Sequence, residues 1–309
     1  MLLALSVGAG KRHKIVLSPA VHPQYREVVK TYLRGTHAAT VVGDEDATAD
    51  LARLTSLLDR DTAALVIQNP NFFGQCEPVD RLADAVHAAG ALLIVVADPI
   101  SLGLFRPPGA YGADVVVAEG QALGIPPSFG GPHLGIFASR LAHVRRLSGH
   151  LVGETVDADG RRGYVLTLAT REQHIRRAKA TSNICTNSAL CALGAAVYLA
   201  TMGNRGLQRV AQLCFHKSHY AATEIGKLAG FAINPQAPAQ PFFKEFVVRL
   251  PGPAPEINAR LRERHGIIGG YDLGRDYAHL QNHMLIAVTE LNTRAGIDRL
   301  VAALGEAAR

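Results

Sequence analysis

Three features of the sequence predict an α/β chain with a mostly parallel sheet and a small C-terminal α+β unit. Apolar runs of strand length alternate with helical stretches over the first 140 or so residues, most of these runs end in polar loops, and beyond residue 204 the order changes to helix, strand, helix, strands, helix. Alternation at this spacing demands right-handed crossovers and parallel pairing. The 309 residues can bury a large core, and 48% hydrophobic with 19% charged residues is ordinary for such a fold. The expected division is a large domain over 1–203 and a small α+β domain over 204–309, with a hinge at Met202 to Arg205.

The first residues read as the tail of a helix ending near Gly8 to Gly10. Lys14 to Leu17 is a strand, Ser18-Pro19 a turn, and Pro23 opens a helix to Leu33, its missing N–H falling among those a helix start leaves unpaired. A strand at Thr40 to Val42, a helix at Asp44 to Leu58 and a strand at Ala63 to Gln68 follow, the last ending in the loop Asn69 to Gly74. A helix over Asp80 to Ala89, capped by Gly90, leads to the most apolar strand, Ala91 to Ala97, which closes on Asp98-Pro99. Asp114 to Val117 is a β-branched run suited to a strand covered on both faces. It breaks into a loop carrying Gly124, Pro126, Pro127, Gly130, Gly131 and Pro132 before the next strand, Leu134 to Ala138. Fixed bends with little side-chain cover suit a place where a ligand or another chain comes close. A surface crossover would look the same.

Next come a helix over Arg140 to Leu147, a hairpin turning at Asp159-Gly160, a helical piece with Arg171, Arg176 and Arg177, a polar loop Thr181 to Asn187, and an Ala-rich helix to about Met202. The remainder reads as helix Gly206 to Leu228, strand Phe243 to Arg249, helix Ala254 to Arg264, strands near Ile267 to Gly270 and Met284 to Val288, and helix Thr293 to Ala308.

Composition excludes several classes. No apolar run reaches the roughly 18 to 20 residues of a membrane span, so a soluble protein without a membrane partner is expected. The opening MLLALSVGAGKRHK places its positive charges after the apolar piece, the reverse of a secretory signal. Cys76, Cys185, Cys191 and Cys214 show no metal-ligand spacing, which predicts no metal site and a reducing cytoplasm. The net charge is +6, and arginines thicken between Arg140 and Lys179. That patch suits an acidic protein or a phosphate. Nucleic acid is not expected, because aromatic residues are scarcely interleaved with it, Tyr164 being the single one between Arg140 and Lys179.

A carboxylate at the end of a buried strand, Asp98, with a further strand and a glycine-rich loop some twenty residues on, is the arrangement by which pyridoxal-phosphate enzymes hold their cofactor: the carboxylate pairs with the protonated ring nitrogen and a lysine on the next loop forms the imine. The loop here reads Glu119, Gly120, Gln121, and no lysine occurs between Lys30 and Lys179. A glutamine amide cannot form an imine. The alternative for Asp98 is a strand-end carboxylate that caps its own loop.

The strings SPAVHPQYREVVKTYLRG (Ser18 to Gly35), IQNPNFFG (Ile67 to Gly74), VVADPISLGLFRPPGAYGADVVVAEGQALGIPPSFGGPHLGIFA, LVGETVDADGRRGYVLTLATREQHIRRAKATSNICTN and GYDLGR with MLIAVTELNTR carry a resemblance over nearly the whole chain. The chain resembles the subunit 1 (alpha-type) branch of glycine dehydrogenase (decarboxylating), the P-protein of the glycine cleavage system. The resemblance implies a fold-type-I, aminotransferase-like subunit that pairs with a homologous subunit 2. That partner holds pyridoxal phosphate covalently, and the pair decarboxylates glycine and passes the aminomethyl group to the lipoyl arm of H-protein. Gln121 in place of the lysine agrees with a subunit lacking its own cofactor. Members of the family have a long region before the helix that ends at Leu5, so the chain is expected to be a fragment, or to start at a misplaced Met1, with apolar sheet faces left uncovered.

No catalytic residue is assigned on this basis. The interface-pocket candidates are Asn71, Phe72, Asp98, Gln121, Ser128, Phe129, His133, Asn183 and Thr186. Backbone N–H groups from Ser128 to Gly131 are candidates to cradle a phosphate or carboxylate, and Asn183 and Thr186 precede a long helix whose start favours anions. His133 and His174 are of a type that shuttles protons near neutral pH. Two other readings stay open, a non-catalytic scaffold and a self-sufficient pyridoxal enzyme using Cys185.

Overall fold

The computed structural model describes residues 1–37, 39–42, 50–180 and 188–308. The chain opens with helix α1 (Leu2–Val7), strand β1 (Lys14–Leu17), helix α2 (Pro23–Leu33) and strand β2 (Ala39–Val42). His22 caps α2, its Nδ1 accepting the Gln24 N–H at 3.2 Å. Helix α3 (Leu51–Ser56) starts on Asp50, whose Oδ1 accepts from the N–H groups of Ala52 and Arg53. The beginning of the longer helix expected over Asp44 to Leu58 lies outside the described residues.

Strand β3 (Thr62–Asn69), helix α4 (Leu82–Ala88), strand β4 (Leu92–Ala97), strand β5 (Val115–Glu119) and strand β6 (Gly135–Ser139) complete the first sheet, in the order β2-β1-β3-β4-β5-β6. Every pairing is parallel except the last, where β6 runs antiparallel to β5. The apolar runs fill both faces, with Ile15, Leu17 and Val66 in one core and Val16, Leu65 and Leu93 in the other. α1 and α2 cover the first face only in part: an apolar trough of about 380 Å³ remains, lined by Leu3, Val21, Val29, Val96, Val117 and Phe137 among others.

A 3-10 turn (Leu141–Arg146) stands where a regular helix was expected, and it buries none of its residues. Strands β7 (Leu151–Val156) and β8 (Arg162–Thr167) form the hairpin, with Gly160 at φ 77° in its turn. A short helix α5 (Gln173–Arg176) follows. Helix α6 (Ala189–Gly226) is broken at Gly203, where φ 60° and ψ −176° lie outside helical values, within the Met202 to Arg205 segment that the sequence offered as a hinge.

The C-terminal sheet contains strand β9 (Ala232–Ile233), strand β10 (Glu245–Arg249), strand β11 (Tyr271–Asp272) and strand β12 (His283–Ala287), ordered β11-β12-β10-β9, with helices α7 (Ala254–His265) and α8 (Arg294–Ala307) packed on it. β9 had no signal in the sequence. The strand expected near Ile267 to Gly270 forms one step later, at Tyr271, because the two glycines pass close to other atoms without pairing: a side chain at Gly270 would stand 2.3 Å from the Leu285 oxygen. Among the described residues no helix is long and apolar enough to cross a membrane.

Candidate functional site

β3, β4 and β5 are neighbours, so the loops that follow them meet at one edge of the sheet. Asp98 ends β4. Its Oδ2 lies 2.5 Å from the Lys244 ammonium and its Oδ1 accepts the Ile100 N–H at 2.9 Å. Both charged side chains are less than one-fifth exposed, at 17% for Lys244 and 19% for Asp98. Burial alone would lower the lysine's pKa, but the carboxylates of Asp98 and Glu245 outweigh it and hold Lys244 above its usual range. Asp98 therefore caps its loop, as the alternative reading had it, and carries a salt bridge to the C-terminal sheet as well.

Gln121 stands two residues beyond β5. Its Nε2 donates to the Pro132 carbonyl at 3.0 Å, which ties the two ends of the glycine- and proline-rich loop together. The organiser of this loop is Glu119: its carboxylate accepts the N–H groups of Gln121 (3.0 Å) and Leu134 (2.9 Å) and faces His133 at 3.6 Å. Further out, Ser128 and Phe129 adopt left-handed conformations (φ 42° and 57°), and the Phe129 ring is fully exposed. The expected anion cradle is partly spent within the turn, because the N–H groups of Gly130 and Gly131 both donate to Pro127 O.

Asn71 and Phe72 follow β3 and part company. Asn71 is buried: it donates to Glu77 Oε1 at 2.8 Å and accepts from the N–H groups of Phe73 and Gln75, so it shapes the loop from within. Burial pushes Glu77 up to about 7, against the side-chain hydrogen bonds of Asn71 and Gln240 that act to lower it. Phe72 lines a pocket of about 370 Å³ with His22, Gln68, Glu245, Gly270 and Tyr271. Burial lowers His22 and raises Glu245 to about 7. Asn183 and Thr186 lie outside the described residues, as does Cys185.

The loop after β3 is also a seam. Cys76 N–H donates to Pro241 O, Phe243 N–H to Gly74 O and Gln240 Nε2 to Cys76 O. Ala20, Phe72 and Phe73, from the loops after β1 and β3, pack in a single cluster with Val247, Leu273, Tyr277, Leu280 and Leu285 of the C-terminal part. The arginine patch is likewise partly structural: Arg171 is buried, with its guanidinium donating to the carbonyls of Leu147 and Gly149. Sequence reasoning missed Lys244, Glu119 and Glu77, since a lone charged residue beside a strand carries no motif.

Pyridoxal phosphate, which the fold implies, can be tested against these residues. It would need an amine after β5 and a carboxylate free to meet the ring nitrogen. Gln121 supplies an amide already bonded to Pro132, and both oxygens of Asp98 are engaged. The described residues do not fit the group.

Comparison with known proteins places the architecture. The family model for the glycine cleavage system P-protein matches residues 1–304. The chain belongs to that family. It is 53% identical over 308 residues to "Probable glycine dehydrogenase (decarboxylating) subunit 1" of Thermomicrobium roseum, covering 99% of this chain and 68% of the relative. The crystal structure of glycine decarboxylase (P-protein) of the glycine cleavage system, in inhibitor-bound form, superposes with a TM-score of 0.92 at 43% identity, covering 99% of this chain and 68% of that one. Alanine–glyoxylate aminotransferase of Nostoc sp., at 18% identity and a TM-score of 0.67 over the whole chain and 78% of that protein, shares the fold alone. The chain thus has the fold-type-I transferase architecture and resembles the subunit 1 branch of the P-protein family, as its motifs imply. It spans about two thirds of the length of the curated relatives it matches.

Proposed function

We propose that this chain serves as the cofactor-less half of a glycine-decarboxylating heteromer, a glycine dehydrogenase (aminomethyl-transferring). Its partner is a homologous subunit 2 that holds pyridoxal phosphate on its own lysine. Glycine is the substrate and the lipoyl arm of H-protein the acceptor. The observation that carries this reading is Gln121, which stands where an amine is required and spends its amide on Pro132. This chain's contribution is then positional: it supplies wall and loop to a cleft completed by the partner.

A second chain is also favoured by the first half of α6. Leu190, Leu193 and Val197 are 82%, 60% and 58% exposed, and of the fourteen residues Ala189 to Met202 only Ala195 is buried. A helix that is apolar all round needs burial on every side. Phe129, at the tip of the loop packed on this helix through Gly124 and Tyr198, points the same way. Within the proposed interface pocket we keep Phe72, Gln121, Ser128, Phe129, His133, Asn183 and Thr186. Asn71 and Asp98 act from behind it. The exposed arginines among Arg145 to Arg177 suit an acidic carrier protein. We divide the chain at residue 203, with 1–203 as the large and 204–309 as the small domain, on the strength of the break at Gly203. Free thiols at Cys76, Cys191 and Cys214 suit a reducing cytoplasm.

The test is co-expression with a subunit 2. The expected result is a soluble complex that exchanges bicarbonate carbon with the carboxyl group of glycine, together with an inactive, colourless isolated chain. No complex, or a yellow isolated chain that turns over an amino acid unaided, overturns the reading.

A further inference from the structure

We propose that Lys244 is a built-in cation that closes the Asp98 carboxylate to a protonated ring ligand and clamps the C-terminal sheet onto the end of β4. The proposal rests on reading this chain as the half without cofactor, and it adds a second, non-covalent barrier to the one at Gln121. Loss of an imine-forming amine removes only a covalent bond. A ring held by stacking and by one charge-assisted hydrogen bond to a strand-end carboxylate would still bind. Here that hydrogen bond is already made.

Each oxygen of Asp98 already holds a donor, and the one charge-assisted contact that a ring N–H would make is taken by the ammonium. Asp98 Oδ2 meets the ammonium at 2.5 Å, and Oδ1 is held by the Ile100 N–H at 2.9 Å. An ammonium is a compact point charge that can deliver one N–H to a carboxylate much as a protonated ring nitrogen does. The backbone that carries Lys244 is also fixed. Its neighbour Phe243 is buried against Phe105 with ring centres 5.5 Å apart, and the Phe243 N–H donates to Gly74 O at 3.1 Å. On the other side Glu245 begins β10 opposite Ala287. A ring cation entering this site would have to expel a lysine whose backbone is pinned on both sides. The carboxylate that a cofactor-holding relative of this fold would spend on its ligand is spent here on joining two sheets.

Two measurements on the full chain, made without any partner so that no second cofactor contributes, test this. The first is a thermal-melting cycle of wild type, Asp98→Asn, Lys244→Met and the double variant. Each single variant is expected to lower Tm, and the double variant to fall by clearly less than the sum, because the buried partners are lost together. The second is titration with 4′-deoxypyridoxine 5′-phosphate, which lacks the aldehyde and cannot form an imine with surface lysines, followed by its ring fluorescence. Lys244→Met is expected to bind it at least tenfold more tightly than wild type, with the gain lost when Asp98→Asn is added. Lys244→Gln, which keeps an N–H donor but no charge, gives an intermediate gain and replaces the methionine variant should that one fail to fold. An additive melting cycle, wild-type binding equal to that of the lysine variants, or no gain in a folded variant overturns the proposal. Neither measurement depends on complex formation, so failure of the heteromer and failure of this clamp are told apart.

Discussion

The loop after β3 and the loop after β5 begin alike, at the carboxyl ends of the two strands that flank β4 and rich in residues that suit ligand contact, yet they end in opposite environments. The first turns inward: Asn71 is buried, Gly74 lies against the backbone of β10, and three hydrogen bonds stitch it to residues 240–243. The second turns outward, held at its base by Glu119 and by Gln121 on Pro132, with Phe129 standing clear at its tip. Polar residues at strand ends are thus used for joining sheets in one place and left at a surface in the other. What separates them is whether a second element of this chain arrives to cover the loop.

The sharpest way to break the inward loop is Gly74→Ala. Gly74 has φ 83°, and an added Cβ would stand 1.8 Å from the Glu245 carbonyl oxygen, a contact with backbone that no side-chain rotation relieves. Left-handed strain and overpacking together are expected to cost about 3–5 kcal/mol, read as a large fall in the denaturant midpoint. A loss below 1 kcal/mol would mean the seam is looser than its contacts imply.

Next in size is the pH dependence of Glu77. Burial raises its folded-state pKa to about 7 from an ordinary value of 4.5. Between those values the folded chain holds a proton that the unfolded chain has released, so stability falls as pH rises from about 4.5 to 7 and is level with respect to this group below that window. The full effect is about 3 kcal/mol at about 1.4 kcal/mol per pH unit. Glu77→Gln keeps an oxygen for the Asn71 amide. It is expected to match wild type near pH 4.5 and to be the more stable at pH 8, with the gap opening across that window in urea titrations. Parallel curves for the two proteins would show that Glu77 is already ionised in the folded state.

Arg171 offers a smaller, local effect. Its guanidinium holds the carbonyls of Leu147 and Gly149 beside Glu172. Arg171→Met keeps the aliphatic stem and removes the donors, with an expected cost of about 1–3 kcal/mol for buried acceptors left unpaired. Faster amide exchange confined to the neighbourhood of residues 147–150 would accompany it.

Much of this contrast was legible beforehand and part was not. The strands Lys14 to Leu17, Ala63 to Gln68 and Ala91 to Ala97, the helix opened by Pro23 and the break near Gly203 all formed close to where apolar period, proline and glycine placed them. Those signals are local. Lys244 and Asp98 are 146 residues apart, and nothing in either neighbourhood says that they meet. Asn71 and Asp98 looked alike as strand-end ligands for the same reason, since sequence shows that a loop follows a strand but not what covers it. Glu119 escaped because its role is to accept backbone N–H groups, which leaves no side-chain pattern.

The outward region gives the smallest effect on the fold and the clearest contrast with the seam. Leu193 is 60% exposed on the first half of α6, and Leu190 and Val197 stand open beside it at one-turn spacing. Leu193→Glu removes little burial within this chain, so its stability is expected to change by no more than about 0.5 kcal/mol. If a partner subunit covers the helix, the same substitution places an unpaired carboxylate in an apolar contact. Association is then expected to weaken at least about tenfold, or about 1.4 kcal/mol. Melting of the isolated variant and co-purification with subunit 2 read the two effects separately. A variant that melts like wild type and still assembles at full affinity would place the partner on another face, while one that unfolds would show that α6 is held by this chain alone.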